Sequence, residues 1–242
     1  MSGSAIYVLV IAHPDDESMF FVPTIKALVD RGEQVWLLCV TTGDYDGLGK
    51  EREKELIHAG RLLGFEKVII KKDLKDHPKS RWPVHQVSKE IEKALTQGIG
   101  GSACGLGRIV LLTFDEMGVS GHVNHVDTFY GVRDLIRKKP TIRCGSEEIS
   151  IEAWQLETER NLFMKYVPVL EWFLLLLSLF TKRTIVLSND SPHVYRCQKP
   201  ALNWQAMATH RSQFVWYRRL FVIFSCYTYV NKLRPIGKPK QA

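Results

Sequence analysis

The pattern that most constrains this chain is an alternation. Aliphatic and β-branched runs at about 6–12, 34–41, 67–71, 108–114, 148–154 and 184–188 read as strands. Between them, helical patterns lie at about 17–31, 49–63, 83–97, 123–138 and 161–180, with a long one near 198–229. Strands this apolar, joined by helical crossovers, point to an α/β protein: a Rossmann-like, mostly parallel sheet with helices on both faces. The 242 residues suffice for one large domain, and no internal boundary interrupts them, so 1–242 is read as a single unit. The segment Gly98–Gly107 is expected to be a flexible connector, and the basic tail from Lys232 to Ala242 is expected to be disordered.

In such sheets, ligands gather at the carboxyl ends of the strands. The first strand runs into Ala12-His13-Pro14-Asp15-Asp16-Glu17, and Pro14 disfavours helical geometry at His13. Three acidic residues at a helix start suit the helix dipole, which accounts for the carboxylates but not for His13. A second cluster, TFDEMGVSGHVNHVD from Thr113 to Asp127, follows the strand RIVLLTF and supplies His122 and His125. Gly118 and Gly121 in that turn let the backbone pass close to a substrate. Two strand ends of one parallel sheet face the same side, so His13, Asp15, Asp16, His122 and His125 can converge across more than a hundred residues. Imidazole and carboxylate are zinc ligands, and a catalytic zinc takes three of them and leaves a position open.

Charge and cysteine usage narrow the function classes. The formal net charge of +7 suits an acidic partner, yet no basic-aromatic array accompanies it, and a nucleic-acid role is excluded. GDYDGLGKE has the wrong glycine spacing for a phosphate loop, and Glu51 stands where Ser or Thr holds magnesium. Five cysteines without a CxxC pair indicate a reducing, cytosol-facing setting. The N-terminus lacks the features of a signal peptide. Two stretches suit either a membrane surface or a buried core helix: the apolar run Val167–Phe180, and Phe214–Val230, which mixes aromatics with Arg218 and Arg219.

AHPDDE at 12–17 with GVSGHVNH at 118–125 resembles the LmbE-like zinc deacetylases. MFFVPT at 19–24, FDEMGVSGHVNH at 114–125 and HRSQFVWYRRLFVIFS at 210–225 resemble the eukaryotic branch of that family. That branch comprises the N-acetylglucosaminyl-phosphatidylinositol de-N-acetylases of glycosylphosphatidylinositol (GPI)-anchor biosynthesis. The resemblance runs from about Tyr7 to Tyr229. It implies an LmbE-like fold and Zn2+, or another divalent metal, on His13, Asp16 and His125. It implies Asp15 as general base and a protonated His122 near the oxyanion or the leaving amine. Arg52 and Glu55 match the branch's R-x-x-E helix. Arg52 is either a solvated helix charge or a bidentate cation for the inositol phosphate. Asp44 either contacts sugar hydroxyls or caps a turn, and His210 with Ser212 and Gln213 is expected to act as a distant lock.

The resemblance further implies a GlcNAc-phosphatidylinositol substrate, a membrane surface as partner and the cytosolic face of the endoplasmic reticulum as location. Members of the branch usually begin with a transmembrane anchor, whereas here the first strand starts at residue 5 or 6, so the expectation is either an anchorless form or membrane contact through the two stretches above. The rival readings are a deacetylase of a soluble N-acetylglucosaminyl conjugate and a non-catalytic membrane-associated scaffold.

Overall fold

The structure, a computed structural model, describes residues 4–99, 106–144, 147–169, 172–173, 176, 193–197 and 199–237. Strands β1 (Ser4–Ile11), β2 (Gln34–Cys39), β3 (Lys67–Ile70), β4 (Leu106–Thr113) and β6 (Glu147–Leu156) follow the expected alternation. Helices α1 (Val22–Asp30), α2 (Gly49–Leu63), α3 (Val84–Ile99) and α5 (Val123–Lys138) lie between them. The order is β3-β2-β1-β4-β6-β8-β7, with β5 (Thr141–Cys144) also paired to β6. From β3 to β6 the path is parallel; β5, β8 (Val230–Pro235) and β7 (Val194–Arg196) add antiparallel pairs.

The chain leaves β1 toward β2 and β3, then returns through α3 to β4 on β1's other side. Right-handed crossovers in these opposite directions place α1 and α2 on one face and α3 and α5 on the other. α1 packs on α2, and α3 on α5. Val8, Leu9, Val10 and Ile11 of β1 are fully buried beside Leu37 and Leu38 of β2 and Ile109 and Leu111 of β4. The gap between the tips of β1 and β4 is therefore a topological switch point, where sheets of this kind bind ligands.

The remaining elements correct the sequence reading. The helix expected over 161–180 is interrupted: α6 (Leu162–Tyr166) stops at Val167, where Pro168 disfavours helical geometry, and the described residues Val169, Trp172, Phe173 and Leu176 are helical again. Most of the rest of that stretch, and the strand expected at 184–188, lie outside the described residues. The long helix near 198–229 is broken into α7 (Ala201–Thr209) and α8 (Trp216–Phe224). Between them a turn directs His210 and Ser212 into buried polar contacts that outweigh continued helical bonding. Of the tail expected to be disordered, Lys232–Pro235 lie in β8, where Leu233 is buried. Residues 100–105 of the expected connector are not described. Among the described residues, no helix is long and apolar enough to cross a membrane.

Asn231 clamps β8 to the site-bearing segment. Its Oδ1 accepts from the Thr24 N–H at 3.1 Å and from Thr24 Oγ1 at 2.8 Å, and its Nδ2 donates to the Phe20 carbonyl at 2.8 Å. Asn231→Ala leaves buried polar groups unpaired and should lower stability by about 2–4 kcal/mol. Urea unfolding reads this as a lower midpoint with an unchanged slope.

Candidate active site

β1 runs into a tight turn built by its own polar groups. The His13 N–H donates to Asp16 Oδ2 at 2.8 Å, and the Asp16 N–H donates to the His13 carbonyl at 3.3 Å. Asp15 sits at the apex with φ 117, a conformation that strains a non-glycine residue. A π-helical turn, Glu17–Phe21, leads from it into α1. None of the carboxylates caps this helix as expected. Asp16 turns back toward His13, while Glu17, fully buried, accepts from the Asp15 N–H at 3.1 Å and from Ser18 Oγ at 2.6 Å.

At the tip of β4 the turn α4 (Gly118–Gly121) precedes α5. Asp115 holds it in place, accepting from the Met117 N–H at 3.1 Å and from the Thr158 N–H and Oγ1 at 2.7 and 2.5 Å. His122 caps α5, its Nδ1 accepting from the Asn124 N–H at 3.3 Å. The neutral ring therefore carries its proton on Nε2. His125 stacks on Phe114 at 4.1 Å and directs Nδ1 at the Gly118 carbonyl, 3.0 Å away. That bond places the proton on Nδ1 and frees Nε2, the arrangement of a metal-ligating histidine. A Cβ on Gly118 would lie 3.0 Å from His125 Cβ, and φ 62 there favours glycine.

The two tips meet. His125 Nε2 lies 3.0 Å from Asp16 Oδ1, and His13 Nδ1 lies 3.7 Å from Asp16 Oδ2. Donors sharing one tetrahedral zinc with bonds of about 2.1 Å stand about 3.4 Å apart. The Asp16–His125 and Asp16–His13 separations each lie near that value, one to each Asp16 oxygen. His122 is also near, since one nitrogen from each of His13, His122 and His125 falls within 4.8 Å of the others. Asp16 reaches His13 and His125 through different oxygens, whereas the three imidazoles approach one another with a single nitrogen each.

The electrostatics separate the acids and bases. Burial raises the Asp15 carboxyl above the usual range, although Arg218 and Arg52 pull it down. Burial also opposes ionisation of Asp16, but His125 and His13 outweigh it and hold this carboxyl well below the usual range. Burial disfavours protonated His13, yet hydrogen bonds to Asp16 and Asp76 raise it to about 9. Burial and the adjacent His13 and His125 lower His122 to about 4, a shift that favours the neutral ring over the protonated one expected from sequence.

These side chains line a cleft of about 370 Å³ that includes His13, Asp15, Asp16, Arg52, His122 and His125. Asp15 Oδ2 is buried and accepts no hydrogen bond among the described residues, although Arg218 Nη2 lies 3.2 Å and Arg52 Nη2 3.6 Å away. Arg52 is no solvated helix charge: it is buried, and its terminal nitrogens donate to the Gly43 and Pro14 carbonyls at 2.8 and 2.7 Å. Gly43, at φ 70, leaves room for this approach, since a Cβ there would sit 2.3 Å from Arg52 Nη1. Asp44, considered as a sugar contact, is exposed and outside the cleft lining. Its Oδ1 accepts from the Gly49 N–H at 2.7 Å and caps the start of α2.

Sequence reasoning missed Asp76, Asn124 and the inward role of Arg218. Asp76 Oδ1 lies 3.2 Å from His13 Nε2, and Asn124 Nδ2 lies 3.4 Å from the same atom. Asn124 stood inside the GVSGHVNH motif. Asp76 sits in an irregular loop after β3, where its place beyond a strand end was the one available signal.

The expected lock exists. His210 Nε2 meets Glu17 Oε1 at 2.6 Å with both side chains fully buried, and Glu55 accepts from the Ser212 N–H at 2.8 Å and Oγ at 2.7 Å. His210→Ala strands the Glu17 carboxylate and should cost about 3–5 kcal/mol by urea unfolding. Burial works against protonated His210, but Glu17 raises its pKa above the ordinary value. The stabilisation it supplies is therefore complete below the unfolded imidazole's pKa and fades as pH rises through the higher folded value.

Comparison with known proteins closes the question of family. The family model described as PIG-L, GlcNAc-PI de-N-acetylase, matches residues 8–136. The N-acetylglucosaminyl-phosphatidylinositol de-N-acetylase of Bos taurus is 34% identical over 236 residues, covering 96% of this chain and 83% of that protein. In fold, the chain resembles the N,N'-diacetylchitobiose deacetylase of Pyrococcus horikoshii, with TM-score 0.64 and 18% identity over 96% of this chain and 83% of the other. It also resembles the zinc-inhibited form of the teicoplanin deacetylase Orf2, with TM-score 0.55 and 12% identity over 97% and 100%. This chain belongs to the PIG-L family of GlcNAc-PI de-N-acetylases.

Proposed function

We propose that this protein is a metal-dependent amidohydrolase acting on N-acetylglucosaminyl-phosphatidylinositol. It yields glucosaminyl-phosphatidylinositol and acetate, the second step of GPI-anchor biosynthesis, at the cytosolic face of the endoplasmic reticulum membrane. Family membership supports the reaction and substrate. The observation that carries the mechanism is Asp15: a buried carboxylate oxygen without a hydrogen bond among the described residues, in the same cleft as His13, Asp16 and His125.

In this reading His13, Asp16 and His125 would hold a divalent metal, and their chemistry suits zinc. When bound there, the metal polarises the acetamide carbonyl and acidifies a water. Asp15 Oδ2 accepts a proton from the water attacking the carbonyl carbon. It returns that proton to the departing amine as the C–N bond breaks, leaving acetate. Its raised pKa makes it a stronger base than an ordinary carboxylate. His122, neutral with its proton on Nε2, donates a hydrogen bond to the developing oxyanion. Asp76 accepts from His13 Nε2 and fixes that ring, and Arg52 ties the Pro14 and Gly43 backbones together beneath the base.

Metal content and acetate release from a GlcNAc-phosphatidylinositol analogue separate these roles. His13→Ala should lose the metal. Asp15→Asn should keep it and lose turnover by about 10²–10⁴-fold. His122→Ala should also keep it, with kcat down by about 10²–10³-fold. Full turnover in Asp15→Asn would refute the base assignment, and metal loss in His122→Ala would move His122 into the ligand set.

A further inference from the structure

We propose that the apolar surface formed by α8 and α6 docks this protein on a lipid bilayer, and that Arg218 takes the phosphodiester of the lipid whose headgroup fills the cleft. The identity of that headgroup rests on the de-N-acetylation reading; the surface has its own support.

α8 has two faces. Trp216, Tyr217, Leu220, Ile223 and Phe224 are exposed, Trp216 at 71%. These positions follow one another at i, i+1, i+4, i+7 and i+8, a single apolar stripe. On the other side Val222 is buried, and Phe221 and Arg218 line the cleft. α6 extends the outer surface with Leu162 and Phe163, exposed at 71% and 62%. The two helices pack together, with Tyr166 edge-on to Phe221 at 6.3 Å, and Tyr166 also lines the cleft. The apolar surface is thus continuous with the mouth of the site. A water-facing role does not account for so many adjacent exposed aromatic and aliphatic side chains.

Charge selects a bilayer as occupant. Neither Asn161–Val169 nor Arg211–Ser225 contains an acidic residue, whereas Arg219 on α8 and Arg211 in the turn before it are exposed. Aromatic and aliphatic side chains rimmed by cations match the acyl boundary and the anionic headgroups of an interface.

Arg218 stands where these two environments meet. Its guanidinium lies 3.2 Å from Asp15 Oδ2 and donates to the Gln213 carbonyl at 3.0 Å and to Gln213 Oε1 at 2.6 Å. Both Gln213 bonds use Nη1, so Nη2 faces the cleft. The Arg52 terminal nitrogens already donate to two backbone carbonyls, which leaves Arg218 as the better placed cation for a phosphodiester. In a glycolipid the phosphodiester lies between sugar and acyl chains, as Arg218 lies between cleft and apolar surface.

Sedimentation with phosphatidylcholine vesicles, with and without phosphatidylinositol, tests both parts. The full chain should bind both and prefer those with phosphatidylinositol. A Trp216→Ser, Leu220→Ser double variant should bind both at least about tenfold more weakly. Arg218→Gln should keep the phosphatidylcholine binding and weaken the phosphatidylinositol preference, leaving only the share that exposed Arg211 and Arg219 supply. The proposal is overturned if the wild type binds neither vesicle, if the double variant binds like the wild type, or if the Arg218→Gln preference equals that of the wild type. In acetate release, Arg218→Gln should lower the kcat/KM ratio of a glycerophosphoryl GlcNAc-inositol over phosphate-free GlcNAc-inositol about tenfold. Any effect through Asp15 falls on both substrates and cancels, so an unchanged ratio overturns the Arg218 assignment. No acetate from either substrate with wild type refutes the de-N-acetylation reading, while vesicle binding still decides the docking surface.

Discussion

Everything in the site depends on β1 and β4 being adjacent and parallel. Their pairing runs in register from Ala5 with Arg108 to Leu9 with Leu112, and Thr113 Oγ1 donates to the Val10 carbonyl at 2.9 Å where the strands end. A one-residue slip would turn every β-strand side chain to the opposite face. Because the register holds, the turn after β1 and the turn after β4 open at the same height. Two short segments separated by a hundred residues then contribute to one cleft.

Crowding ionisable groups there requires that each be given a different environment. Asp15 and Asp16 are neighbours in sequence and equally buried, yet their carboxyls shift in opposite directions. Asp16 faces two imidazoles. Asp15, turned away by its positive φ, faces two guanidiniums at longer range, and its Oδ2 has no hydrogen bond among the described residues. Glu17 takes a third path, inward to His210, and anchors the turn to the segment between α7 and α8. Three adjacent carboxylates thus do three jobs because backbone geometry sends them in three directions.

Much of this was legible from residues alone. The boundaries of α2 and α5 follow from periodicity and their ends: Gly64 terminates α2 in the left-handed conformation, and His122 caps α5. Convergence of His13, Asp16, His122 and His125 follows from parallel topology. What was not legible depends on contacts between distant segments. β7 and β8 are short antiparallel additions whose polar sequences carry no strand period, and β8 is clamped by Asn231 to residues over two hundred positions away. The break between α7 and α8 is set by Glu17 and Glu55, not by the local pattern. Asp44 and Arg52 show the same limit, since their partners decided between readings that sequence left open.

The central claim is the division of labour: His13, Asp16 and His125 on the metal, with Asp15 and His122 off it. X-ray absorption of the zinc-loaded protein measures this directly. The account predicts two imidazole nitrogens and one carboxylate oxygen from the protein. Three imidazoles, with His122 in place of Asp16, would contradict it.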